Sequence, residues 1–191
     1  MPPDGLAAPQ ARPATARVFF ALWPPAAIVE QLADIARSAA SQLGGKATRP
    51  ESIHLTLAFL GEVAESRLPL LARTAASVRA APFELQIDTL GYWSHNHLLW
   101  AGCSAAPSEL PGLAAALQQQ LAAAGFVVAD AGRPFAPHLS LLRKIPVAHP
   151  PKILPPIVPL AWSCTGFVLV RSQLSASGPE YKILAEFPLV P

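Results

Sequence analysis

Charge, cysteine and glycine are all scarce in this 191-residue chain. Only 14% of its residues are charged and the formal net charge is +2. That excludes a solvating, disordered polypeptide and a protein that grips long duplex through many phosphates. A local basic cleft remains open to it, because ten of the fourteen basic residues are arginine, the side chain shaped for phosphate oxygens. Two cysteines, Cys103 and Cys164, cannot build a disulfide framework or a four-ligand zinc site. Each reads as a small buried hydrophobe in a strand, and a reducing cytoplasm is the expected home. No stretch runs from charge through an apolar core to a small-residue cleavage site, so no signal peptide is expected. Long apolar runs free of proline are also missing. The uncharged, apolar run from Ile153 to Val170 carries Pro155, Pro156 and Pro159 and reads as a loop followed by a strand, with no membrane span.

Apolar residues (52%) and proline (22, against 11 glycines) are abundant. A chain of this length is one domain, or two small lobes sharing a core, and buries a sizeable interior without staples. The prolines cluster at 2, 3, 9 and 13, at 24–25 and through 146–159, with Pro50 and Pro137 just ahead of two histidines. Residues 1–16 are expected to be a disordered Pro/Ala-rich tail, leaving 17–191 as a single bilobal domain.

Hydrophobic periodicity then divides the chain. Strands are expected at 17–23, 52–61, 83–90, 98–103, 126–128, 136–142, 162–170 and 181–187. Helices are expected from Pro24-Pro25 to Leu43, over 65–80, and from Leu110 to Gly125. In the first helix Ile28, Leu32, Ile35 and Ala36 share a face, and Gly44-Gly45 ends it. Mixed hairpins and crossovers argue for an α+β fold, with helices packed on antiparallel sheet. The order also repeats coarsely, a helix leading to a histidine-bearing strand in each half, which predicts two related lobes.

Those strands carry the chemistry. His54-Leu55-Thr56-Leu57 and His138-Leu139-Ser140-Leu141 lie 84 positions apart. A period of two puts His54 and Thr56 on one face and Leu55, Leu57 and Phe59 on the other, and likewise separates His138 and Ser140 from Leu139 and Leu141. If the strands are neighbours, two imidazoles and two hydroxyls converge on one cleft. Imidazoles titrate near neutrality, so one can accept a proton while the other donates one, and the hydroxyls can donate to phosphate oxygens. That set performs in-line displacement at phosphorus without a metal. Arg143 adds a cation for a charged transition state. Strict alternation places Arg143 on the leucine face, so it reaches the cleft only where the strand ends or twists near Leu142.

Paired motifs of this form resemble the two-histidine (2H) phosphoesterase superfamily. The strings HLTLAFLGEV, RPFAPHLSLLRK and VFFALWPP are similar to its bacterial and archaeal RNA 2′,3′-cyclic phosphodiesterase branch, once called 2′-5′ RNA ligases, from about Arg17 to Phe187. The resemblance implies two pseudo-repeated lobes of antiparallel sheet with helices outside, and a central cleft carrying both histidines. It implies hydrolysis of a terminal 2′,3′-cyclic phosphate to a 2′-phosphomonoester without metal or other cofactor. His54 would protonate the leaving 3′ oxygen and His138 would activate water. Thr56 and Ser140 would hold phosphate oxygens, and Arg143 matches a functional arginine. The expected partner is RNA with a cyclic phosphate end, tRNA fragments included, or a small cyclic nucleotide. A monomer without membrane or obligate protein partner is expected. The same site would also serve 2′-5′ end joining, hydrolysis of another cyclic or 2′-5′-linked nucleotide, or non-catalytic binding of RNA ends.

The remaining candidates have plainer readings. His95 and His97 sit in a polar hairpin turn without a third ligand, and His149 lies among surface prolines. Arg133 ahead of the second motif shapes the cleft mouth or is solvated. Phe59 is expected in the core. Tyr92, Trp93 and Trp100 are core residues or a stacking platform for a base, and the sequence does not choose among them.

Overall fold

The structure, a computed structural model, describes residues 14–129, 131–148, 150–151, 153–176 and 178–191. The fold is α+β, with three α-helices and antiparallel sheets among the described residues. The strands are β1 (Thr15–Leu22), β2 (Lys46–Ala47), β3 (Leu55–Ala64), β4 (Phe83–Ile87), β5 (Thr89–Trp93), β6 (Leu98–Gly102), β7 (Leu139–Arg143), β8 (Leu160–Cys164), β9 (Gly166–Ser175) and β10 (Gly178–Pro188). The helices are α1 (Ala26–Leu43), α2 (Leu68–Ala76) and α3 (Glu109–Ala123). The main sheet has the order β10-β9-β1-β3-β7-β6-β5, with β2 paired to β7, while β4 and β8 form a separate ribbon.

The main sheet is two halves joined at one point. β3 and β7 share a single register pair, Leu55 with Leu139. From there β3 runs off along β1 and β7 along β6. The helices are exchanged between halves. α1 follows β1 but packs on β2 and β7, where Ala39, Ala40 and Leu43 meet Leu99, Leu142 and Ile145. α3 follows β6 but packs on β3 and α2. Leu55, Leu57, Leu139 and Leu141 are each no more than 2% exposed, beneath these helices. Burying four leucines is worth roughly 1.5–3 kcal/mol each, so the histidine strands are anchored from behind.

Each motif holds a bulge at its last leucine. Opposite β3, Phe20 pairs with Ala58 and Ala21 with Thr56, so Leu57 is the extra residue. Opposite β7, Leu99 pairs with Leu142 and Trp100 with Ser140, so Leu141 is the extra residue. A bulge puts two successive side chains on one face and resets the alternation. The carbonyls it frees are satisfied from elsewhere. The Gln118 side-chain amide donates to Leu57 O (3.1 Å), and the Thr48 backbone N–H donates to Leu141 O (2.8 Å). Gln118→Leu therefore leaves a buried carbonyl orphaned and is expected to cost about 1–3 kcal/mol, read as a lower urea midpoint. An unchanged midpoint would mean that the bulge needs no such partner.

Several sequence expectations are corrected. β1 begins at Thr15, two residues inside the expected 1–16 tail, because Thr15 and Ala16 pair with Ala64 and Val63; residues 1–13 lie outside the described residues. Segment 126–128 is not a strand, and a single bridge at Ala129 to Phe59 replaces the expected pairing. The runs 83–90 and 162–170 each divide at Asp88 and Thr165, since β4 and β8 leave the main sheet to pair with each other. At that break the Asp88 carboxylate accepts hydrogen bonds from the Ser104 N–H and hydroxyl, while its backbone N–H donates to Gly102 O. The helix expected over 65–80 is a 3-10 turn at Glu65–Arg67 followed by α2, which ends at Ala76.

Candidate functional site

His54 and His138 flank the seam between the halves. With Leu55 opposite Leu139, one step either side of an antiparallel register sets His54 beside Ser140 and Thr56 beside His138, all on the helix-free face. The expected convergence of two imidazoles and two hydroxyls is therefore what the topology builds.

Both rings are held in the same way. His54 Nδ1 lies 2.8 Å from Ser52 O, and His138 Nδ1 lies 2.9 Å from Ala136 O. A carbonyl only accepts, so each Nδ1 carries a proton and each Nε2 is left for another group. The two prolines near the histidines set these anchors. Pro50 opens the 3-10 turn that ends at Ser52. Pro137 lacks an N–H and biases Ala136 toward extended backbone.

The bulges also decide which face the residues after each motif occupy. Leu141 and Leu142 both turn inward, so Arg143 returns to the histidine face and donates from Nη2 to Ser140 Oγ (2.9 Å). Strict alternation would have hidden it. Leu57 and Ala58 do the same in the first half. Phe59 is consequently on the histidine face, half-buried with Phe19, Ala21, Trp23, Val168, Val170 and Tyr181, which corrects its expected place in the core.

Aromatic rings enclose the imidazoles unequally. Phe19 stacks on His54 at 4.7 Å and Trp23 lies parallel to it at 5.5 Å, with Tyr181 edge-on at 5.2 Å. His138 meets only Trp93 in this way among the described residues, edge-on at 4.5 Å. Trp93 in turn touches Trp100 at 5.4 Å. Trp100 lies across Gly91 so closely that a Cβ there would fall 2.0 Å from its ring. Tyr92 points to the other side, with Leu99 and Leu142. Sequence reasoning missed Phe19, Trp23 and Tyr181. For the first two the signal was present, since Arg17, Phe19, Ala21 and Trp23 alternate along one strand face.

Electrostatics favour neutral rings in the free protein. Burial holds His54 down at about 4, opposed by its bond to Ser52 and reinforced by the charges of Arg143 and His138. His138 is also lowered, by burial first and by Arg143, against the bond to Ala136. An anion between the rings would reverse both effects and draw in a proton. The folded state also depends on this. Between about pH 4 and 6.5 the unfolded chain binds the His54 proton and the folded chain does not, so stability rises with pH across that window. The contribution is complete above 6.5 and is lost toward pH 4, by up to about 3 kcal/mol. Urea unfolding near pH 4.5 and near pH 7 should show a smaller loss on acidification for His54→Asn than for the parent. Equal losses would contradict the burial of the ring.

The other candidates fall elsewhere. His95 is exposed in the β5–β6 turn and His97 Nδ1 lies 3.2 Å from the Tyr92 hydroxyl. No group of three histidine, cysteine or carboxylate side chains fit to hold a metal occurs among the described residues. His149 is outside the described residues. Arg133 is exposed. Cys164 is buried in β8, its thiol pushed up to about 12 by burial, and Cys103 is half-buried after β6. A hollow of about 490 Å³ between α1 and Pro151 with residues 153–158 is mostly apolar, and neither imidazole lines it.

Known proteins are similar to this chain in sequence and fold. A family model described as LigT like Phosphoesterase matches residues 22–100. The chain is 33% identical over 173 residues to an Escherichia coli K12 protein named RNA 2′,3′-cyclic phosphodiesterase, covering 91% of this chain and 96% of that one. It is 32% identical over 181 residues to a Thermus thermophilus protein of the same name, covering 91% and 90%. The crystal structure of E. coli LigT complexed with 3′-AMP superposes with a TM-score of 0.83 at 31% identity, covering 93% and 100%. Similarity of this extent, over nearly the full length of both chains, means that the chain belongs to the LigT-like phosphoesterases.

Proposed function

We propose that this enzyme hydrolyses terminal RNA 2′,3′-cyclic phosphates to 2′-phosphomonoesters by paired imidazole catalysis. The observation that carries the reading is the matched anchoring of His54 and His138 across one seam, each with Nδ1 on the carbonyl two residues back. The cyclic phosphate sits in a cleft between the two sheet halves. His138 Nε2 takes a proton from water as the water oxygen bonds to phosphorus. The bond from phosphorus to the 3′ oxygen breaks, and His54 Nε2 gives its proton to that oxygen. His54 is neutral in the free enzyme, so it takes up a proton from solvent as the anionic phosphate binds beside it. Thr56 and Ser140 donate to the non-bridging oxygens, and Arg143 neutralises the charge that grows on them.

The names borne by the relatives and the 3′-AMP complex of LigT support the choice of substrate. These groups supply acid, base and cation without a metal. The two free thiols fit the reducing cytoplasm expected for it, and no helix among the described residues is long and apolar enough to cross a membrane. The test is turnover of an RNA ending in 2′,3′-cyclic phosphate in excess chelator. Release of the monoester is expected. Tight binding without turnover, with or without metal, would make the protein an RNA-end binding module instead.

A further inference from the structure

The two motifs correspond residue for residue at the same offset of 84, and their bulges correspond too. Phe59 therefore occupies in the first half the place that Arg143 occupies in the second. One half carries a guanidinium there, directed back at Ser140. The other carries an aromatic ring, and over that ring lies the guanidinium of Arg17, 4.8 Å from its centroid. The first half thus regains a cation, supplied by the neighbouring strand.

Arg17 belongs to the same face as the site. It precedes Phe19 by two residues on β1, and Phe19 stacks on His54. One pleat repeat, about 7 Å, separates the two positions. The side chain is exposed. Stacking on Phe59 uses the flat face of the guanidinium and leaves its in-plane N–H donors directed outward. The carboxylate opposite it in register, Glu62, is drawn the other way. The Thr15 hydroxyl donates to Glu62 Oε2 (2.9 Å), on the side away from His54, while Arg17 leans toward Phe59. Across β1, Arg17 faces the neutral Ser172. The adjacent Arg171 pairs with Glu65 at 2.9 Å.

A cyclic mononucleotide has one phosphate, which the imidazoles and Arg143 occupy. An RNA end has another on the 5′ side of its last nucleoside. We propose that Arg17, held on the Phe59 ring, binds that 5′-side phosphodiester and makes the enzyme prefer RNA ends to free 2′,3′-cyclic nucleotides. The inference rests on the cyclic phosphodiesterase reading above and extends it from the reacting phosphate to the strand that carries it.

The test compares the parent with Arg17→Gln and Arg17→Lys on two substrates, a 2′,3′-cyclic nucleotide and a short RNA with the same terminal nucleoside. Arg17→Gln should lower kcat/KM on the RNA roughly tenfold and leave the cyclic nucleotide unchanged. The slope of log kcat/KM against log salt on the RNA should fall by about 0.7, one single-strand phosphate contact. Arg17→Lys should keep the salt slope. Equal losses on both substrates, or no loss on the RNA, would overturn the assignment while leaving the cyclic phosphodiesterase reading intact. A parent enzyme that cleaves neither substrate would overturn both.

Discussion

His138→Ala is expected to lower kcat on a 2′,3′-cyclic phosphate by about 10²- to 10⁴-fold, and His54→Ala by a similar factor. Each variant removes one end of a proton relay, so the second substitution should add little to the first. The fold should survive the change at His138, whose ring is half-buried and packs edge-on against Trp93. At His54 the ring fills space between Phe19, Trp23 and Tyr181. His54→Asn therefore accompanies the alanine variant, retaining bulk while removing the titrating nitrogen. Near-parental turnover in either His54→Asn or His138→Ala would contradict paired acid–base roles. A pH profile supplies a second check on the parent. Because both rings are lowered, the alkaline limb of kcat/KM should fall below the ordinary imidazole value of about 6.5.

Arg143→Gln is expected to cost about 10²- to 10³-fold in kcat, the range for removing a donor aimed at transition-state charge. It carries a second signature. Arg143 lowers both imidazoles through its charge, so its removal should favour the protonated rings and move the alkaline limb to higher pH. An arginine acting only as a hydrogen-bond partner for Ser140 would change kcat without moving that limb. Measuring kcat and the pH profile on the same variant separates the two roles.

The histidine strands were legible because the motifs are local. Four-residue strings fix which side chains share a face, and their leucines fix which face is buried. The α+β architecture was legible for the same reason, as alternation and helical periodicity are local too. Three features were not. The bulges at Leu57 and Leu141 depend on partners distant in sequence, Gln118 on α3 and Thr48 beside β2, and no alternation rule anticipates them. They are why Arg143 reaches the histidine face and why Phe59 leaves the core. The division of 83–90 and 162–170 was hidden because β4 and β8 find each other only in three dimensions. The aromatic setting of the imidazoles came from both kinds of information. Phe19 and Trp23 alternate visibly, but Tyr181 arrives from the far end of the chain through the β9–β10 pairing.

The exchange of α1 and α3 between halves ties these pieces together. A helix from each half covers the other half's histidine strand, so neither motif is held by its own neighbours in sequence alone. The seam at Leu55 and Leu139 is then fixed from both sides, and the imidazoles are fixed with it.

The central claim is that water attacks phosphorus with His138 as base while His54 protonates the departing 3′ oxygen. The measurement that tests it most directly is the position of the phosphate in the product of an RNA ending in 2′,3′-cyclic phosphate. A 2′-phosphomonoester with a free 3′ hydroxyl is predicted. A 3′-phosphate would mean that the 2′ oxygen leaves, and would contradict the assignment of the two histidines.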